Sequence, residues 1–79
     1  MSPAGKADNI ENQVRKIRIE KHMTQEELGH KVRLTRQSII AIEKGRFTPS
    51  IHTVLMISRA LDTSIGNLFW LTNGQEKEK

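Results

Sequence analysis

The sequence predicts an all-α domain, a bundle of five short helices. Three observations predict it. Apolar residues recur at three- and four-residue spacing through most of the chain. Helix-capping residues, Thr24, Thr35, Ser50 and Ser64, stand in front of these apolar runs. The chain has 79 residues, which suits one small domain. A chain of this size buries only about 60% of its unfolded surface, and oligomerisation is one usual remedy. Residues 1–8, small, polar and containing Pro3 and Gly5, read as a flexible arm. Residues 9–74 read as the folded domain, and the sign-alternating tail 75–79 as a flexible end.

Asn9 is expected to cap a first helix running to about His22, with Ile10, Val14, Ile17 and Met23 facing inward and Arg15, Lys16 and Lys21 outward. His22 stands where a helix-ending glycine is common. The second helix spans Gln25–Val32. Thr24 is its cap, and Glu27, three residues on, completes a capping box. Leu34 lies in the following turn and is expected to plug the angle between helices two and three. Thr35 caps the third helix, Arg36–Lys44, which Gly45 ends. Leu28 and Val32 on one helix, and Ile39 and Ile42 on the next, are the inward positions.

Pro49 keeps the chain from continuing helically, and Ser50 caps a fourth helix, Ile51–Leu61. Its buried side is expected to carry Ile51, Val54, Leu55, Ile57, Ser58 and Leu61. Ser64 caps a last short helix with Ile65, Leu68 and Phe69. Phe69–Thr72 reads as a short extended segment, a C-terminal β-strand, stopped by Asn73-Gly74.

Composition narrows the function. There is no cysteine, so neither a disulfide framework nor a thiolate metal site. His22, His30 and His52 are scattered without metal-ligand spacing, and no metal or cofactor is expected. No pocket-sized core exists to hold a catalytic triad, so the chain is not expected to be an enzyme or to bind a small molecule. No segment is long and apolar enough to span a membrane, and no signal-peptide core is evident, which points to the cytoplasm. The formal net charge is +4 and the isoelectric point about 9.9, which suits a polyanionic partner.

On a helical wheel, Ile39 and Ile42 set the buried direction of the third helix. Gln37 and Lys44 then face away, flanked by Ile40 and Ala41, with Arg36 and Ser38 at the margins. That face holds an amide, cations, a hydroxyl and apolar groups, and no acid. It could be a plain solvated surface. It could also enter a DNA major groove, where Gln pairs with adenine, Arg with guanine, and an exposed Ile touches a thymine methyl. Ile40 fits either a tolerated apolar surface position or a thymine reader. The Phe69-Trp70-Leu71 run could lid the core or form a two-fold interface, which aromatic enrichment at interfaces favours.

Thr24–Gly45 resembles the helix-turn-helix of the Cro/C1-type (lambda-repressor-like, XRE) DNA-binding family. Thr24-Gln25, Leu28, Val32, Thr35-Arg36-Gln37, Ile39, Ile42-Glu43 and Gly45, followed by Pro49-Ser50, carry the likeness, which extends from about Val14 to Trp70. The resemblance is to small single-domain regulators. It implies a compact five-helix lambda-repressor-like fold. Base contacts would fall to Arg36, Gln37, Ser38, Ile40 and Ala41, with Arg36 equally suited to a phosphate. Phosphate contacts would fall to Thr24, Gln25, Arg33, Thr35, Lys44, Arg46 and Thr48. Arg18 and Glu43 match a structural ion pair between helices one and three.

Four positions depart from the family pattern. Ala41 replaces a residue that is often polar, Ile40 a small polar one, Arg33 a turn glycine, and Gly29 the usual alanine, for which close helix–helix contact is the expected reason. The implied function is a sequence-specific regulator of transcription, a repressor, binding a palindromic operator in double-stranded DNA as a homodimer through Ile65, Leu68, Phe69, Trp70 and Leu71. Two other functions fit the same residues: an antitoxin-type DNA binder that masks a toxin, or a protein adaptor without DNA. A restriction-modification controller is a variant of the regulator.

Overall fold

The structure, a computed structural model, describes residues 9–46 and 48–72. The arm and tail expected at 1–8 and 75–79, and the turn at Asn73-Gly74, lie outside the described residues. Within them the order is β1 (Asn9–Asn12), α1 (Val14–Glu20), α2 (Gln25–Val32), α3 (Arg36–Glu43), α4 (Ile51–Leu61), α5 (Ile65–Leu68) and β2 (Phe69–Thr72).

The first helix is shorter than the sequence suggests. Asn9 does not cap it; Asn9–Asn12 is a strand, antiparallel to β2, with Ile10 opposite Leu71 and Asn12 opposite Phe69. Ile10 therefore leaves the helical core and is 41% exposed. A strand partner from the far end of the chain outweighs the local helical spacing, because tertiary context decides short apolar runs. Asn12 marks the changeover. Its Oδ1 accepts from the Val14 N–H at 3.0 Å, serving the start of α1, while its Nδ2 donates to the Ile42 carbonyl at 3.0 Å.

The helix-turn-helix follows from its caps. Thr24 Oγ1 accepts from the Glu27 N–H at 2.9 Å and Glu27 Oε1 from the Thr24 N–H at 2.8 Å, the reciprocal capping box. The Ser38 N–H donates to Thr35 Oγ1 at 3.1 Å. Arg33 ends α2 in the left-handed region, φ 64°, so that the Leu34 N–H returns to the Gly29 carbonyl at 2.8 Å. This turn, rather than a neighbouring helix, is why position 29 is glycine: a Cβ there would lie 2.7 Å from the Leu34 carbonyl oxygen. At the end of α3, Gly45 is left-handed, φ 73°, and the Arg46 and Gly45 N–H groups donate to Ala41 and Ile42 carbonyls at 2.9 and 3.0 Å, a Schellman ending. His22 adopts the left-handed conformation after α1, φ 60°.

The core comprises Val14 and Ile17 of α1, Leu28 and Val32 of α2, Ile39 and Ile42 of α3, Ile57 and Leu61 of α4, and Leu68 of α5. Met23, Leu34, Met56, Ala60 and Phe69 pack around it. On α4 the buried residues are Val54, Ile57 and Leu61, whereas Ile51 and Leu55 are 70% and 51% exposed. At about 100° per residue these two lie roughly 90–130° from the buried direction, so their expected burial is corrected. Ser64 holds the N-cap position of α5 without a side-chain cap bond. Phe69 is already extended and starts β2.

Candidate nucleic-acid interface

The outward side of α3 and the loops at its ends form one continuous surface. Arg36 and Gln37, in the first turn, are exposed, and Ser38, Ile40 and Ala41 are half-buried beside them. Arg33 and Thr35 are exposed at the entry to α3, and Lys44, Arg46 and Thr48 at its exit. The Thr35 hydroxyl reaches Ser38 Oγ at 3.1 Å, so both hydroxyls are engaged at the helix start. Four cations, Arg33, Arg36, Lys44 and Arg46, thus border this surface among the described residues.

The only acid on α3 is turned away from it. Glu43 has a side chain 3% exposed and grips Arg18, whose Nε donates to Oε2 at 2.7 Å and whose Nη2 lies 3.3 Å from Oε1. Arg18 Nη1 also donates to the Met23 carbonyl at 2.7 Å. Gln25 completes the cluster: its Nε2 donates to Glu43 Oε1 at 3.1 Å. Two buried opposite charges that also satisfy each other's hydrogen bonds cost less than either alone. The cluster joins the end of α1, the start of α2 and the end of α3, and holds the two helices of the motif in one geometry.

The sequence resemblance implies only a phosphate contact for Gln25, and the structure adds its bond to Glu43. Gln25 is half-buried at the start of α2, with its amide nitrogen held by Glu43. Thr24 is exposed at the same end, its Oγ1 accepting the cap bond from Glu27. The second anchor that sequence did not reveal is Asn12, whose amide ties β1 to the last turn of α3. The local signal was an amide two residues before the start of α1.

The five residues expected at a two-fold interface divide. Leu68 is fully buried in the protomer's own core and Phe69 packs against it, so the Leu68 side chain has no surface to offer a second copy. Ile65 is half-buried. Trp70 and Leu71 are 41% and 63% exposed. No group of three or more potential metal ligands occurs among the described residues, and no helix there is long and apolar enough to cross a membrane.

A helix-turn-helix family model matches residues 14–68, from the start of α1 to the end of α5. The chain belongs to the Cro/C1-type helix-turn-helix family of DNA-binding transcriptional regulators. Among family relatives is the uncharacterized HTH-type transcriptional regulator YgzD of Bacillus subtilis, 39% identical over 62 residues that cover 78% of this chain and 94% of YgzD. The restriction-modification controller protein C.AhdI from Aeromonas hydrophila superposes with a TM-score of 0.65 at 28% identity, over 68% of this chain and 82% of that one. The transcriptional regulator VanUg superposes with a TM-score of 0.71 over 92% of this chain and 97% of that one, at 16% identity, a likeness of fold. The lambda-repressor-like fold is therefore shared with known regulators, and this chain adds to its five helices a small two-stranded sheet.

Proposed function

We propose that this chain is a sequence-specific repressor that binds a palindromic operator as a homodimer, with α3 in the major groove. The observation that carries the reading is the acid-free outer face of α3, whose one carboxylate is sequestered by Arg18 and Gln25. A groove lined by phosphates accepts such a face, and an acid on it would be repelled. Gln37 would bond adenine N6 and N7, and Arg36 guanine O6 and N7 or a phosphate, while Ile40 and Ala41 would offer methyl groups.

The backbone would be gripped by Arg33, Lys44, Arg46 and Thr48 around α3, and at the start of α2 by Thr24 and Gln25. Thr35 would swing its hydroxyl from Ser38 to a phosphate oxygen. These contacts fix register and carry no sequence information. Two copies with α3 about 34–36 Å apart would read half-sites one turn apart. Occupying a promoter in this way blocks transcription.

The test is selection of tight binders from random duplex DNA, with wild type and Gln37→Ala. Wild type should return a two-fold symmetric site. Gln37→Ala should lose preference at one base pair in each half-site, about 1–3 kcal/mol of discrimination, with non-specific affinity kept. An unchanged preference removes Gln37 from the reading face, and a pool without enrichment removes sequence-specific binding.

A further inference from the structure

An open hollow of about 480 Å³ lies between the end of α1, the start of α2 and the start of α3. Its lining includes Thr24, Gln25 and Arg36, each proposed above to touch the duplex. It also includes the exposed His22. The other two histidines lie elsewhere. His30 faces a separate groove along α2 with Lys31, and His52 is in the first turn of α4. The backbone at His22 is left-handed, φ 60°, a conformation that favours glycine. An imidazole kept there costs stability that glycine would not, and residues held in such conformations gather at binding sites.

The fixed charges around the hollow cancel. Arg18 is buried and paired with Glu43. Arg36, from α3, and Glu26, from α2, line the hollow with opposite signs. On α1 itself, Glu20 is paired with Lys16, and the neighbouring Lys21 does not line the hollow. The charge on His22 therefore decides the sign. A neutral imidazole leaves the hollow without net charge, and an imidazolium makes it positive. Histidine changes charge between about pH 5 and 8. The imidazolium, with a donor on each ring nitrogen, suits a phosphate oxygen.

We propose that His22, as an imidazolium, binds a backbone phosphate of the duplex beside Thr24 and Gln25, so that DNA affinity falls as pH rises through the histidine range. This rests on the DNA-binding reading above and adds to it a contact and a pH dependence. The phosphate stabilises the charged imidazole alone, so bound duplex and bound proton each favour the other. Arg36 keeps its charge throughout, and with His22 on the phosphate its guanidinium is left for a base edge. Glu26 repels the same phosphate, and only the imidazolium offsets that repulsion once Arg36 has turned to the groove.

Two measurements on the full chain test this. Fluorescence anisotropy, with a duplex selected as above and ionic strength held fixed, compares wild type, His22→Gly and His30→Gln at about pH 6 and about pH 8. Wild type should bind about tenfold tighter at the lower pH, the gain from a charge-assisted hydrogen bond. His30→Gln should keep that ratio. His22→Gly should bind alike at both, at the affinity of wild type at the higher pH. Its unfolding midpoint should equal or exceed that of wild type, because glycine suits the left-handed backbone. In wild type at neutral pH, adding duplex should move the His22 imidazole NMR signals to those of the charged form. Should the glycine variant not fold, these signals decide. A pH ratio that survives His22→Gly, equal wild-type affinity at both pH values, or imidazole signals that stay those of the neutral form overturn the His22 contact and leave DNA binding intact. A wild type that binds no duplex at low salt overturns the DNA reading and the contact with it.

Discussion

The helix-turn-helix and the terminal sheet solve the same problem, ending short elements that cannot stand alone, in opposite ways. In α2 and α3 the capping bonds come from residues within five positions: Thr24 with Glu27, Thr35 with Ser38, Leu34 with Gly29, Arg46 with Ala41. In the sheet, the partners come from the two ends of the described chain. The motif is thus set by local chemistry, and only its orientation depends on distant contacts, those of Glu43 with Arg18 and of Ile42 with Asn12. The sheet depends on distant contacts altogether. The face proposed to read DNA lies on the first kind of structure, and Phe69, Trp70 and Leu71, expected at a dimer contact, lie on the second.

The distant anchor of the motif gives the largest expected effect. Glu43→Ala leaves the Arg18 guanidinium buried without its partner and should cost about 3–5 kcal/mol, read as the midpoint of denaturant unfolding. Replacing both residues together by apolar ones of similar volume should recover most of that loss. If Glu43→Ala is neutral, the motif is held by its caps alone. Next comes the local turn. Gly29→Ala places a methyl group against the Leu34 carbonyl, and pushing the turn aside should cost about 1–3 kcal/mol by the same measurement. An unchanged midpoint would mean that the turn is soft. The smallest loss belongs to the sheet. Asn12→Ala removes the side-chain bond at the start of α1 and one of the two bonds to the Ile42 carbonyl, which keeps the Gly45 N–H, for about 0.5–2 kcal/mol. Amide exchange should then accelerate first in β1 and β2, and equal acceleration in α2 and α3 would erase the distinction between the regions.

The same division explains what could be read from sequence. Thr24, Glu27, Thr35, Ser50 and Gly45 carry short-range signals, and each occupies the capping place read for it. Core positions such as Leu28, Ile39 and Leu61 follow from helical spacing. Asn9–Asn12 failed because Ile10, Val14 and Ile17 keep helical spacing whether or not the first of them is helical, and β2 is invisible from there. Ile51 and Leu55 failed because their hydrophobicity was counted without the direction that Val54, Ile57 and Leu61 impose. Leu68 was assigned to an outer surface because α5 is a single turn, too short for its inward side to be read from periodicity. At the candidate site, the outward residues of α3 followed from the wheel. The Gln25–Glu43 bond joins side chains on two helices whose crossing no local pattern encodes.

The central claim is that the outward face of α3 meets the duplex. Titrating isotope-labelled protein with a selected duplex, and following each backbone amide by NMR, tests it most directly. The account predicts the largest shifts from Arg33 to Arg46 and at Thr24 and Gln25, with small changes along α4. Shifts confined to α4, or a duplex that leaves the α3 amides unmoved at low salt, would contradict it.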